Sequence, residues 1–114
     1  MSDLDQAPGS QYLPDVPTHI TEIKGALEVK LDGYEQVVKN LEDGYVYDDD
    51  GYSYLAEQEG IGRSDRNKGI DKHLKAIETY FPEAFDEMGS RHEDLKKRLK
   101  AVKPDVWERL FGQK

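Results

Sequence analysis

The chain has 114 residues, no cysteine and a formal net charge of -8. That length suits one domain with a real core, and the lack of cysteine excludes disulfides, thiolate metal sites and cysteine nucleophiles. The charge opposes direct binding to DNA, RNA or anionic lipid, which relies on Lys and Arg neutralising phosphates, and it favours a basic protein surface as partner.

The opening "MSDLDQAPGSQYLPDVP" has neither a basic leader nor an apolar run, and no later stretch is long and apolar enough to span a bilayer. The expected setting is therefore cytoplasmic, with no membrane contact. Residues 1–17 hold three prolines, a Gly-Ser pair and few large apolar groups, too little burial to offset the entropy of ordering. They are expected to form a flexible or partner-ordered arm anchored by Tyr12 and Leu13, ahead of a single helical domain at 18–114.

From Thr18 the pattern changes. Ile20, Ile23, Leu27, Leu31, Tyr34, Val38 and Leu41 recur at spacings of three and four, which predicts one long helix over about 18–42 with an apolar stripe. Gly25 and Gly33 fall inside it, where each costs about 1 kcal/mol relative to alanine, so each marks a bend or a close approach of other groups.

Next comes "GYVYDDDGYSY". Tyr45 and Tyr47 alternate around Val46, Tyr52 and Tyr54 alternate around Ser53, and an Asp-rich, Gly-ended breaker lies between them. Period-two alternation about such a breaker predicts a β-hairpin at 45–54. With a loop of Asp48–Gly51 or Asp49-Asp50, Tyr47 would oppose Tyr52 and Tyr45 would oppose Tyr54, the four rings sharing one face that either packs on the long helix or forms an exposed contact patch, whereas a three-residue loop with a bulge at Gly51 would split them. The same "DDDG" invites a calcium reading with Asp48, Asp50 and Glu57 as ligands, but the first ligand position would be Val46, so a turn is the better reading.

The stretch "AEQEGIGRSDRNKGI" reads as a loop, with Ser64 or Asn67 able to cap the helix that follows. Ile70, Leu74, Ile77 and Phe81 carry that helix. Pro82 ends it and starts a brief one, "PEAFDEM", with Gly89 as its C-terminal cap. "SRHE" at 90–93 reads as a capping box for a new helix through Leu95, Leu99 and Val102. Pro104 then opens a last segment with Val106, Trp107, Leu110 and Phe111 on one side, closed by Gly112. The fold expected is mainly α: a small helical bundle with one long N-terminal helix, three shorter helices and a β-hairpin insertion.

No motif of nucleotide binding or nucleophilic catalysis occurs, and His19, His73 and His92 show no paired metal-ligand spacing, so they read as solvated or boundary residues. Neither catalysis nor a cofactor is expected. Residues 42–62 hold seven acidic side chains and no basic one, whereas 63–114 carry a net +3. The basic run "KKRLK" at 96–100, with Lys103, sets Lys96, Lys100 and Lys103 on one helix side, able to receive the acidic segment of the same or a neighbouring molecule and so to build an oligomer.

Two functions fit. The first is a module that inhibits or sequesters a basic, nucleic-acid-binding protein, with Tyr45, Tyr47, Asp48, Asp49, Asp50, Tyr52 and Tyr54 as the contact surface and clustered carboxylates imitating phosphates. The second is a non-enzymatic structural subunit of a larger assembly, such as a virion or secretion particle, built through the arm and the long helix.

Overall fold

A computed structural model describes residues 16–62 and 67–112; residues 1–15 of the arm expected at 1–17, and the cap at Ser64, lie outside them. The described residues are mainly helical: α1 (Thr18–Glu42), α2 (Tyr52–Glu59), α3 (Ile70–Ile77), α4 (Pro82–Val102) and α5 (Pro104–Phe111).

The long stripe is the spine of the fold. Ile20, Leu27, Leu31, Tyr34, Val37, Val38 and Leu41 are buried along α1. This helix packs against α2, α3 and α4, while α5 covers α4 and α2. Each fully buried Leu on this face contributes about 1.5–3 kcal/mol, and Ile23 packs half-buried at the margin. A Schellman motif stops α1. The Gly44 amide donates to Leu41 O at 3.0 Å, the Tyr45 amide donates to Asn40 O at 2.9 Å, and Gly44 takes φ 94°, a conformation glycine adopts without a Cβ clash.

The expected hairpin is not there. No strand occurs among the described residues, and after the turn at 48–51 the chain enters α2. The cause lies in Asp49, whose carboxylate accepts the Gly51 amide at 3.0 Å and the Ser53 amide at 2.9 Å, satisfying donors that a starting helix leaves open. Leu55, Ala56 and Gln58 then bury one face of α2, whose last four residues, 56–59, sequence reading assigns to a loop. The Gly60 and Ile61 amides close α2 on Glu57 O and Ala56 O, repeating the motif that ends α1.

Two further boundaries differ. No side chain caps α3, which starts after Gly69 rather than on a bond from Asn67. The helix beginning at Pro82 does not stop at Gly89: α4 runs unbroken to Val102, so "SRHE" is a helix interior and Glu93 pairs with Lys96 at 2.8 Å instead of reaching back to Ser90. Met88, His92, Leu95 and Leu99 form one buried row across the supposed break, and the gain from burying it outweighs the roughly 1 kcal/mol that a helical glycine costs.

Charge ties α4 to α1. Arg91 donates to Asp32 at 2.8 Å and to Glu35 at 2.6 Å. Arg98 grips Glu42 with two bonds of 2.9 and 2.8 Å, a bidentate geometry that fixes direction as well as distance. The contacts advance together along both helices, so the two run the same way. Lys103 lies 3.6 Å from Asp50, so one lysine of the basic face receives the acidic turn of its own molecule.

The two glycines of α1 differ. A Cβ at Gly33 would run into the Tyr54 hydroxyl, whereas one at Gly25 meets nothing within 4 Å. Gly25→Ala is therefore expected to raise the unfolding free energy by about 0.5–1 kcal/mol in urea titration, and Gly33→Ala to gain less because Tyr54 must move aside.

Candidate functional site

Two regions carry chemistry, one on the surface and one in the core. The surface region is the segment that sequence reading singles out. Along α1, Gly33, Val37 and Asn40 lie on one flank at helical spacing. The Tyr54 ring crosses over Gly33, and Tyr47 and Val37 both lie beside Gly51. The Tyr47 hydroxyl accepts from Asn40 Nδ2 at 2.9 Å, and the Tyr45 ring meets Tyr47 edge-on with centroids 4.6 Å apart. Tyr45, Tyr47 and Tyr54 thus form a row, with Val46 projecting beside it. Tyr45 is 58% exposed, Val46 79% and Tyr54 38%. Partial burial, with the nearby charge of Glu57, holds the Tyr54 hydroxyl above its ordinary pKa.

Tyr52 leaves this row. Its ring lies under the Arg109 guanidinium, 3.8 Å from the ring centroid, a cation–π contact that docks α5 on α2. The expected four-ring face becomes a three-ring row, because a helix after Gly51 turns successive side chains by about 100° where a strand would alternate them.

The acidic side chains of 42–62 are mostly engaged. Glu42 pairs with Arg98, Asp43 with Lys39, Asp50 with Lys103 and Glu59 with His92, while Asp49 caps α2, its pKa lowered first by the bonds from Ser53. Among the described residues this leaves Asp48 and Glu57 as the exposed carboxylates of the segment without a close partner. Lys96 and Lys100 are likewise occupied, standing 5.3 Å over the Phe111 ring and 4.4 Å over the Trp107 ring.

The core region is one that sequence reading passes over. His92 is a core residue rather than a boundary one, 1% exposed. Its Nε2 lies 2.7 Å from Glu59 Oε2, and its Nδ1 is 3.7 Å from Asp71. The Tyr34 ring meets the imidazole edge-on at 5.7 Å, and the Tyr34 hydroxyl is buried without a hydrogen bond that meets geometric limits. Burial, with the nearby Glu59 charge, pushes that hydroxyl far above its ordinary pKa. Helices α1, α2, α3 and α4 each contribute one residue to this cluster. The pair resembles an acid–base dyad in composition, and its Glu59 and His92 side chains are 4% and 2% exposed. No group of three or more His, Asp or Glu among the described residues is placed to hold a metal ion.

The signal for His92 is in the sequence, since Met88, His92, Leu95 and Leu99 share one helical stripe; the Gly89-Ser90 pair conceals it. In comparisons with known proteins, no family model, curated protein or solved structure matches this chain.

Removing one partner of a buried pair leaves the other charge uncompensated. His92→Leu is therefore expected to cost about 3–5 kcal/mol in urea unfolding, whereas Tyr34→Phe, which deletes an unbonded hydroxyl, should stay within about 1 kcal/mol of the native protein. His73 governs a pH response. Burial holds its imidazole below the ordinary 6.5, the bond to Gly69 O opposes that shift, and the Lys30 charge adds to it. The unfolded chain then binds a proton that the folded chain refuses, so this stability is present above about pH 6.5 and is lost as pH falls below it. The stability difference between about pH 7.5 and pH 5.5 should be smaller in His73→Gln than in the native protein.

Proposed function

We propose that this chain is a non-enzymatic protein-binding module whose contact surface is the row Tyr45, Tyr47 and Tyr54 with Val46, and whose partner is a basic protein that it inhibits or sequesters by covering its surface. The observation that carries the reading is the exposure of three large apolar groups in that one neighbourhood, Tyr45, Val46 and Tyr54. Tyrosine supplies broad contact area with a polar tip, needs little side-chain ordering and is enriched where binding energy concentrates. Neighbouring Asp48 and Glu57, with the net charge of -8, favour approach of a basic partner.

Imitation of nucleic acid is the weaker version of this reading. It needs an array of free carboxylates, and five of the seven acids in 42–62 are already bound within the fold: Glu42, Asp43, Asp49, Asp50 and Glu59. Rings then supply affinity and charge supplies encounter rate.

The test is capture on the immobilised chain at low salt, followed by kinetics with the recovered partner. Tyr54→Ala and Tyr45→Ala are each expected to speed dissociation about 30-fold, equivalent to about 2 kcal/mol, with little change in melting temperature. Asp48→Asn with Glu57→Gln should instead slow association and flatten its salt dependence. Equal capture by a variant lacking Tyr45, Val46 and Tyr54 overturns the reading.

A further inference from the structure

Lysines and aromatic rings meet where the end of α4 faces α5. Lys96, Lys97 and Lys100 of α4, with Glu93, and Trp107 and Phe111 of α5 line a cleft of about 270 Å³. Glu93 takes Lys96 at 2.8 Å. Lys100 stands 4.4 Å over the Trp107 ring, a contact that leaves its charge unneutralised, and among the described residues neither Lys97 nor Lys100 joins an ion pair. Trp107 and Phe111, their centroids 5.6 Å apart, are only half-buried. In a chain of net charge -8 this is a local excess of positive charge beside an apolar wall. Its complement is an acidic segment that carries an apolar side chain.

Residues 1–17 contain such a segment. They hold Asp3, Asp5 and Asp15 and no Lys or Arg, and in Asp3-Leu4-Asp5 one large apolar side chain lies between two carboxylates. An extended chain turns residues i and i+2 to one side, about 6–7 Å apart, and residue i+1 to the other. Lys97 and Lys100, three apart on a helix, have Cβ atoms about 5–6 Å apart. Asp3 and Asp5 can therefore face the lysines of α4 while Leu4 faces the rings of α5. The distance also matches. Arg98, bonded to Glu42, sets the cleft level with the end of α1, about 36 Å from Thr18 at about 1.5 Å per helical residue. From Asp5 to Thr18 the sequence includes Pro8, Pro14 and Pro17, and at the roughly 3.1 Å per residue of an extended proline-rich segment it can cover about 40 Å. A tether whose length matches the span gives the highest local concentration, so no second copy is needed.

We infer that the cleft between α4 and α5 is the docking site of the chain's own Asp3-Leu4-Asp5 segment, with Asp3 and Asp5 on Lys97 and Lys100 and Leu4 against Trp107 and Phe111. Two solvated ion pairs and one leucine make a weak clasp, which salt opens. The proposal uses none of the residues assigned to the tyrosine row and stands or falls separately from it.

A fluorescent label on the full chain tests it. The sequence has no cysteine and one tryptophan, so bimane attached to Ser2→Cys has only Trp107 as a tryptophan quencher, and that quenching requires contact. At about 0.1 M salt the label is expected to be dimmer than in the same chain carrying Trp107→Phe, and to brighten at about 1 M, where the screening length falls to about 3 Å. Lys97→Glu with Lys100→Glu, and separately Asp3→Lys with Asp5→Lys, should each abolish the quenching, and all four changes together should restore it. Leu4→Ser, which alters no charge, should reduce it. The arm-side changes leave every residue of the five helices native, and unchanged circular dichroism would establish that the lysine reversals keep the fold.

A labelled Trp107→Phe chain mixed with excess unlabelled native chain should stay bright. Quenching in that mixture assigns the arm to a neighbouring copy and overturns the inference. So does a label equally bright with and without Trp107, quenching that survives either reversal or is unchanged by Leu4→Ser, or a fourfold variant that fails to recover.

Discussion

The burial of one face of α1 is the constraint on which the rest of the molecule depends. Helices α2, α3 and α5 are eight residues each, too short to hold together in water by their own hydrogen bonds, because nucleating a helix costs more than a few propagated bonds return. They persist because Leu27, Leu31, Tyr34, Val38 and Leu41 offer a continuous wall to pack on. Helix α4 keeps its length through Gly89 for the same reason: its row of Met88, His92, Leu95 and Leu99 must meet that wall without interruption. Arg91 and Arg98 then set where along the wall it stands.

This hierarchy explains which parts of the fold are legible in the sequence. Helix α1 is readable because seven apolar positions keep one period over more than six turns, and α5 is readable because Pro104 and Gly112 bracket a compact apolar cluster. The hairpin reading fails for want of length. Tyr-Val-Tyr and Tyr-Ser-Tyr are three residues each, and three residues cannot separate a period of two from one of 3.6. What decides the matter is Asp49, whose carboxylate can cap a helix or shape a hairpin turn; Leu55 and Ala56, buried on α1 and its neighbours, select the helix. Local punctuation misleads in α4 as well, because Gly89 followed by Ser-x-x-Glu is a sound stop-and-start signal wherever tertiary packing does not oppose it. The residues expected to share one face do not stay together, since α2 sends Tyr52 toward Arg109 and Tyr54 toward Gly33.

The polar cluster under α1 serves specificity more than stability. A Glu–His pair taken from water recovers little net free energy against apolar groups of equal size. It does restrict arrangement: Glu59 is buried only where His92 meets it, so α2, a short helix with few apolar side chains, has one acceptable seat. Gln58, accepting from Lys30 at 3.2 Å, makes the same demand from the adjacent position. In a chain with 35% charged residues, apolar contacts alone would leave several registers of α2 nearly equal in energy.

Charge, which composition presents as a surplus, is mostly structural in the first half of the molecule. The acids of 42–62 hold Arg98, Lys39, Lys103 and His92 and cap α2, so the segment with the densest negative sequence presents few free carboxylates. Exposed charge of both signs lies along α4, where Glu83, Asp86, Glu87, Glu93 and Asp94 accompany Lys97 and Lys100. The tyrosine row offers contact area with the exposed carboxylates of Asp48 and Glu57 nearby. That row depends on the same buried wall, Tyr54 through α2, which packs on α1, and Tyr47 through the bond it accepts from Asn40 of α1.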